Sequence, residues 1–114
     1  MTLERRERGL AGETVAAAWY EAHGYEIVVR NWRCRRGELD LVVRKGALFV
    51  FCEVRSRRTA AFGTPGESIT HEKRQRIRHL AASWIQESRI RPATIRFDVA
   101  AILGDELQIL EGAF

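Results

Sequence analysis

Carboxylate and guanidinium side chains recur on two neighbouring apolar runs, and their spacing is the strongest chemical signal in this chain. The runs cover residues 38–44 and 47–55, and a glycine-containing turn separates them. Runs rich in Val, Leu and Phe that flank such a turn predict a β-hairpin. We take Lys45-Gly46 as the two-residue loop.

The predicted pairing brings the acidic residues together. Three pairs of opposed residues follow from this loop: Arg44 with Ala47, Asp40 with Phe51, and Glu38 with Glu53. Because side chains alternate along a strand, one face is wholly apolar. It consists of Leu39, Leu41, Val43, Leu48, Val50, Cys52 and Val54. The opposite face carries Glu38, Asp40, Glu53 and Arg55.

A cluster of carboxylates on one patch has two interpretations, and the hairpin pattern alone leaves both open. Carboxylate oxygens suit a hard divalent cation such as Mg²⁺, which can activate water and stabilise charge on a phosphate. The alternative is a surface of cross-strand ion pairs, in which Arg55 neutralises Glu38 or Glu53.

Further motifs occur in a fixed order along almost the whole chain. They are Glu13, Gly37-Glu38-Leu39-Asp40, Phe51-Cys52-Glu53-Val54-Arg55-Ser56-Arg57, Phe62-Gly63, Lys73 and Arg96-Phe97-Asp98-Val99. Together they resemble the YraN-like family of small, largely uncharacterised bacterial proteins. The resemblance implies a restriction-endonuclease-like α/β fold with a mixed central β-sheet flanked by helices, formed as one domain over residues 1–114.

The wider superfamily includes archaeal Holliday-junction resolvases, and its pattern implies a ligand set. It places an Asp and a Glu-x-Lys on adjacent strands, often with a Glu from the first helix. By this resemblance Asp40, Glu53 and Glu13 would bind Mg²⁺ or Mn²⁺. From the helix pattern alone, Glu13 is better explained as a favourable first-turn charge, and only the family pattern makes it a ligand candidate.

Arg55 occupies the lysine position of the superfamily pattern. An arginine is always protonated and cannot act as a base, although it can hold a phosphate oxygen or steer water. Asp40, Glu53 and Arg55 are thus the predicted catalytic residues. Glu38 and Lys73 are accessory candidates, and Lys73 has the alternative of a solvated helix charge.

Basic residues flank the acidic motif in clusters. The net charge is +4 and the sequence pI about 9.7, which suits a polyanionic partner. The predicted nucleic-acid-binding residues are Arg33, Arg35, Arg36, Arg57, Arg58 and Arg76. Only two of the nineteen basic residues are lysines, so an arginine-biased composition is the alternative explanation.

Length and composition predict a soluble single-domain protein. The chain has 114 residues, of which 46% are hydrophobic and 30% charged. No apolar stretch reaches the length of a membrane span, the N-terminus lacks a secretory h-region, and there are two cysteines. We therefore expect a reduced, cytoplasmic protein without membrane contact.

The remaining helices and strands are predicted from hydrophobic periodicity and from residues that typically begin or end such elements. The predicted elements are a helix over residues 9–23, a strand over 25–30, a helix capped by Thr70 that reaches residue 88, and strands over 93–103 and 106–110.

The leading functional hypothesis is a metal-dependent nuclease acting on DNA rather than RNA, including branched or structured DNA. The alternatives are a non-catalytic nucleic-acid-binding module on the same scaffold and a protein-interaction partner with a basic face. A homodimer is suggested by analogy with the resolvases alone.

Overall fold

Helix, three strands, helix and two strands follow one another along the chain, in the predicted order. The computed structural model describes residues 3–57 and 69–114, with side chains from residue 11 onward. The elements are α1 (Leu3–Ala22), β1 (Glu26–Cys34), β2 (Gly37–Lys45), β3 (Leu48–Arg57), α2 (His71–Ser88), β4 (Thr94–Leu103) and β5 (Glu106–Leu110).

The strands form one mixed sheet in the order β1-β2-β3-β4-β5. The β3–β4 pair is parallel and the other three pairs are antiparallel. A parallel pair needs a long crossover connection, which here includes α2. The α/β prediction is confirmed, and the architecture is compatible with a restriction-endonuclease-like fold.

Each helix covers one face of the sheet and buries its own apolar cluster. The α1 cluster consists of Ala16, Ala17, Tyr20, Leu41, Val43, Val50, Cys52 and Ala100. The α2 cluster consists of Leu39, Val42, Phe49, Phe51, Ile77, Leu80, Ala81 and Trp84. Because β2 and β3 are covered on both faces, their charged residues lie where the apolar stretches end.

The predicted hairpin register is wrong by two positions. In the structure Lys45 pairs with Leu48, so the two-residue loop is Gly46-Ala47 rather than Lys45-Gly46. Gly46 has φ 61°, and a glycine at the first central position is typical of a type II′ hairpin turn. A shift of two residues preserves the alternation of side chains, so most of the predicted face assignment survives.

Leu39 is the exception to that assignment. It lies in the α2 cluster, whereas Leu41 lies in the α1 cluster. The β2–β3 pairing extends only to Leu41 opposite Cys52, and beyond it Oδ2 of Asp40 accepts a hydrogen bond of 2.9 Å from the Val54 N–H. The strand therefore leaves the regular ladder at Asp40, and the alternation is broken there.

Helix and strand ends agree with the sequence where a capping signal exists. Thr70 caps α2 and accepts a hydrogen bond of 3.1 Å from the Lys73 N–H, as predicted. The bounds differ where no signal exists: α1 begins at Leu3, and β1 continues to Cys34. The first turns of α1 are rich in charged residues, so no apolar periodicity marks them.

Asp98 on β4 is a fully buried carboxylate whose hydrogen bonds are satisfied. Arg96 donates to its two oxygens at 2.8 and 2.9 Å, the Tyr20 hydroxyl donates at 2.7 Å, and the Gly112 N–H donates at 3.0 Å. Arg96 and Asp98, which stand two residues apart in one of the sequence motifs, thus form an ion pair. It also ties α1 and the segment after β5 to the sheet.

Neither helix in the described ranges combines the length and the apolar character that crossing a bilayer would require.

We expect Asp98→Ala to lower the free energy of unfolding by about 3–5 kcal/mol, because it leaves buried donors without an acceptor. Urea unfolding followed by circular dichroism measures the change. Glu26→Ala, which breaks an exposed ion pair of 2.9 Å with Arg44, is the matched control and should cost less than about 1 kcal/mol. Equal losses of unfolding free energy in Asp98→Ala and Glu26→Ala would contradict the stabilising role assigned to the buried hydrogen bonds of Asp98.

Candidate metal centre

Three carboxylates from two elements meet beside the point where β2 leaves the ladder. Glu13 lies on α1, and Glu38 and Asp40 lie on β2. One carboxylate oxygen from each lies within 4.8 Å of the other two. The structure thus brings together two of the predicted metal ligands and one of the accessory candidates.

Gly12 lets α1 approach the sheet closely enough to deliver Glu13. A Cβ at this position would lie 3.2 Å from Val54 Cγ1 and 3.2 Å from Ile102 Cδ1, which is tighter than ordinary contact. The neighbouring Glu13 is consequently buried, with 6% of its surface exposed. Sequence reasoning noted Gly12 only as the first residue of a motif.

Glu53 adjoins this group from β3 and has partners of its own. Its Oε1 lies 2.7 Å from Lys73 Nζ on α2 and 4.0 Å from Arg55 Nε. The side chain of Asp40 also hydrogen-bonds to Glu53, and this contact favours the protonated form of the Asp40 carboxyl. All three predicted catalytic residues and the accessory Lys73 therefore lie at one place, with Glu53 as the link between the carboxylates and the cations.

The electrostatic environment of the carboxylates favours the binding of a proton or of another cation. Burial, followed by the negative charge of Glu53, raises the pKa of Asp40 to about 8, although the Val54 N–H opposes this shift. Burial also raises the pKa of Glu13, and the Glu38 charge adds to the effect. At neutral pH the centre therefore tends to hold a proton that its carboxylates would release in water.

The donor set fits a hard divalent cation. Within the described residues, Oε2 of Glu13 is buried and has no hydrogen-bond partner. Oxygen-only ligands of this kind suit Mg²⁺ and Mn²⁺ rather than softer metals. Glu13, Glu38 and Asp40 are the residues that would hold such an ion, and Glu53 is the neighbour of Asp40.

Asn31 on β1 is a site residue that sequence reasoning missed. Its side chain hydrogen-bonds to Glu13 and thereby partly offsets the rise in the pKa of that carboxyl. Its φ is 53°, which is a strained conformation for any residue except glycine and is best tolerated by Asn or Asp. Asn31 follows directly after the predicted first strand, and no sequence pattern singled it out.

The predicted nucleic-acid-binding arginines have different environments. Arg33 pairs with Glu38 at 2.8 Å, so it neutralises one of the clustered carboxylates. Arg35 and Arg36 are exposed in the β1–β2 turn, and Arg76 is exposed on α2. Arg57, at the end of β3, is half-buried and donates to the Ser56 carbonyl. Arg58 lies outside the described residues.

A cleft of about 230 Å³ gives access to the carboxylates. Its lining consists of Gly37, Glu38, Asp40, Glu53, Lys73, Arg76, Ile77 and Leu80. A Cβ on Gly37 would lie 3.3 Å from Leu80 Cδ1, so this glycine keeps β2 close to α2. The cleft therefore has an acidic floor from the strands and a basic wall from the helix.

The fold and this centre define a small mixed-sheet α/β domain that is compatible with a restriction-endonuclease-like architecture. The chain belongs to the Uncharacterised protein family UPF0102, whose family model matches residues 12–102. Family membership agrees with the resemblance deduced from the sequence motifs.

Three similar UPF0102 proteins come from three different organisms. A UPF0102 protein of Beutenbergia cavernae is 52% identical over 95 residues, which cover 83% of this chain and 80% of the relative. One from Nocardia farcinica is 48% identical over 100 residues, covering 88% and 79%. One from Moorella thermoacetica is 42% identical over 120 residues, covering 100% of both chains.

The raised pKa of Asp40 predicts a specific pH dependence of stability. The folded protein retains the proton up to about pH 8, whereas the unfolded chain releases it near the ordinary value of 3.8. The free energy of unfolding therefore falls as the pH rises through this window. Asp40→Asn removes this contribution, because the amide stays neutral and its oxygen can still accept from the Val54 N–H.

In metal-free buffer we expect Asp40→Asn to melt at about the same temperature as the wild type at pH 4. At pH 8.5 it should melt about 4 °C or more above the wild type, which corresponds to about 1 kcal/mol. Glu106→Gln, an equal charge change on the exposed start of β5, should show no such trend. A constant difference between Asp40→Asn and wild type across this range would contradict the electrostatic account.

Proposed function

We propose that this protein is a divalent-metal-dependent nuclease that hydrolyses phosphodiester bonds in DNA, including branched or structured DNA. The observation that carries the proposal is the meeting of three carboxylates from α1 and β2 beside the Glu53–Lys73 pair. Buried carboxylates at this distance repel one another unless a cation neutralises them. A metal-binding centre at the floor of an open cleft has access to a large substrate.

The ion supplies charge stabilisation at the phosphate and lowers the pKa of a bound water. Mg²⁺ and Mn²⁺ are the cations that the ligand set favours. Glu13, Glu38 and Asp40 hold the ion in this proposal, and Asn31 orients Glu13 through its hydrogen bond. Glu53, whose side chain hydrogen-bonds to Asp40, would be a further ligand for the ion.

Two positively charged side chains of the protein, Arg55 and Lys73, lie next to the proposed binding position of the substrate. Arg55 lies 4.0 Å from Glu53 and is assigned to bind an oxygen of the scissile phosphate. It cannot remove a proton from water, because a guanidinium remains protonated. Lys73 holds Glu53 in place through a contact of 2.7 Å and adds positive charge to the wall of the cleft.

The choice of DNA rests on the distribution of basic residues around the cleft. Arg76 lines it directly, and Arg35 and Arg36 extend from the β1–β2 turn next to Gly37, which also lines it. Guanidinium groups on both sides of a catalytic cleft can contact successive phosphates of a backbone. Such a substrate is available in the cytoplasm, where we place the protein. A homodimer would present two clefts to a symmetric junction.

We expect Mn²⁺- or Mg²⁺-dependent cleavage of at least one DNA from a labelled panel of linear duplex, single strand, flap and four-way junction. Asp40→Asn should reduce the cleavage rate by about 100-fold or more, because it removes a ligand charge from the metal. Glu106→Gln is the matched control and should retain the wild-type rate. Both variants are compared in parallel preparations whose folding is verified by thermal melting.

Equal cleavage by Asp40→Asn and wild type would contradict this mechanism. No cleavage, together with salt-sensitive DNA binding that EDTA leaves unchanged, would favour the non-catalytic binding module. Binding to an acidic protein that DNA does not displace would favour the protein-interaction alternative.

Asn31 supplies a second test through a pair of variants. Asn31→Gly accepts a φ of 53° without strain but removes the hydrogen bond to Glu13, and we expect it to bind Mn²⁺ about 10-fold more weakly. Asn31→Ala should show a similar loss of affinity and in addition unfold about 1 kcal/mol more easily than Asn31→Gly. Calorimetric Mn²⁺ titration and urea unfolding measure the two effects. Wild-type Mn²⁺ affinity in Asn31→Gly would exclude a positioning role.

A further inference from the structure

A second cavity borders the carboxylate cleft on its α2 side. It has a volume of about 280 Å³ and is lined by Arg36, Gln75, Arg76, His79 and Leu80. Arg76 and Leu80 also line the carboxylate cleft. The two depressions therefore lie side by side, so that neighbouring nucleotides of one strand can reach both.

The lining combines planar side chains with an apolar floor. Leu80 is 2% exposed and forms that floor, while Arg36, Arg76 and His79 are exposed around it. Arg76 and His79 lie three residues apart on α2, which places them on the same side of the helix. Imidazole and guanidinium planes stack on nucleobases, and an apolar floor suits the face or edge of a base better than a hydrated phosphate.

We propose that this cavity binds one unpaired nucleobase of the strand whose phosphate lies in the carboxylate cleft. The volume is close to the lower end for small-ligand sites, so it suits a single base rather than a base pair. A base held in a duplex cannot enter such a cavity without leaving its stack. The preferred substrate is therefore DNA with an unpaired nucleotide next to the cleavage position, such as a flap or an overhang.

This inference rests on the proposed function, which identifies the ligand as DNA. It goes further by naming an unpaired nucleobase as the feature that the cavity recognises. Phosphate contacts by the exposed arginines would not distinguish a nucleotide with a base from one without. Stacking in the cavity does distinguish the two, because only a nucleotide that has its base can stack. The two roles can therefore be separated by removing single bases from the substrate while the phosphate backbone is kept intact.

The experiment measures binding of a fluorescent flap DNA in EDTA, so that it does not depend on cleavage. An abasic nucleotide replaces each of the first unpaired positions in turn, and the dissociation constant is measured by anisotropy. We expect one position at which base removal weakens binding by about 5-fold or more, as is typical for the loss of one stacked base. Abasic replacement at the more distant positions should change binding little.

The same series is measured with His79→Ala and Arg36→Ala. We expect each variant to bind the intact flap more weakly and to lose most of the abasic effect, because the base and the side chain act as a coupled pair. Arg91→Ala is the matched control: it removes an equal charge from an exposed position beyond the C-terminal end of α2. This variant should keep the full abasic effect.

The outcomes separate this inference from the proposed function. If DNA is cleaved but no abasic position matters, or the effect is unchanged in His79→Ala and Arg36→Ala, the cavity does not bind a base and this inference is wrong. If the His79-dependent abasic effect is present but no metal supports cleavage, the base site stands and the nuclease proposal is wrong. If no DNA is bound at all, both are overturned.

Discussion

The rest of this structure is arranged around one constraint. Carboxylates repel one another at the place where β2 separates from β3. Asp40 sits at that place and takes the Val54 N–H as a partner in place of a regular strand contact. The close approach of α1 at Gly12 brings Glu13 to the same point, and the turn after β1 brings Glu38. Two elements, α1 and β2, thus concentrate the negative charge of three carboxylates in partly desolvated surroundings, where it is costly without a counter-ion.

Another buried carboxylate in the described part of the chain shows that this cost is specific to the centre. Asp98 is fully buried, yet four donated hydrogen bonds from Arg96, Tyr20 and Gly112 compensate its charge. At the centre the compensation is incomplete, since Asp40 shares a proton with Glu53 and Oε2 of Glu13 has no partner among the described residues. A purely structural cluster would gain from the kind of pairing that Asp98 has. The incomplete compensation at the centre, compared with the full compensation of Asp98, supports a role for the centre in binding a cation. Such a cation can replace the proton between Asp40 and Glu53.

Most of the fold could be predicted because its signals are local. Apolar runs on either side of a glycine-containing turn marked β2 and β3, and Thr70 marked the start of α2. The hairpin register was missed because both candidate loops contain Gly46 and preserve the alternation. Leu39 was missed because the break in alternation arises from a side-chain to backbone bond between two strands. Periodicity along one strand contains no information about such a bond.

The sequence by itself determined the element order, the apolar face of the hairpin, and the residue types able to bind a metal or a phosphate, because these depend on spacing along the chain. Tertiary structure decided which carboxylates meet. It placed Glu38 with Glu13 and Asp40, directed Lys73 to Glu53, and gave Asn31 its contact with Glu13. These distances depend on how closely α1 and α2 approach the sheet. That approach is set by packing at particular glycines and by the departure of β2 from the ladder, which no local pattern specifies.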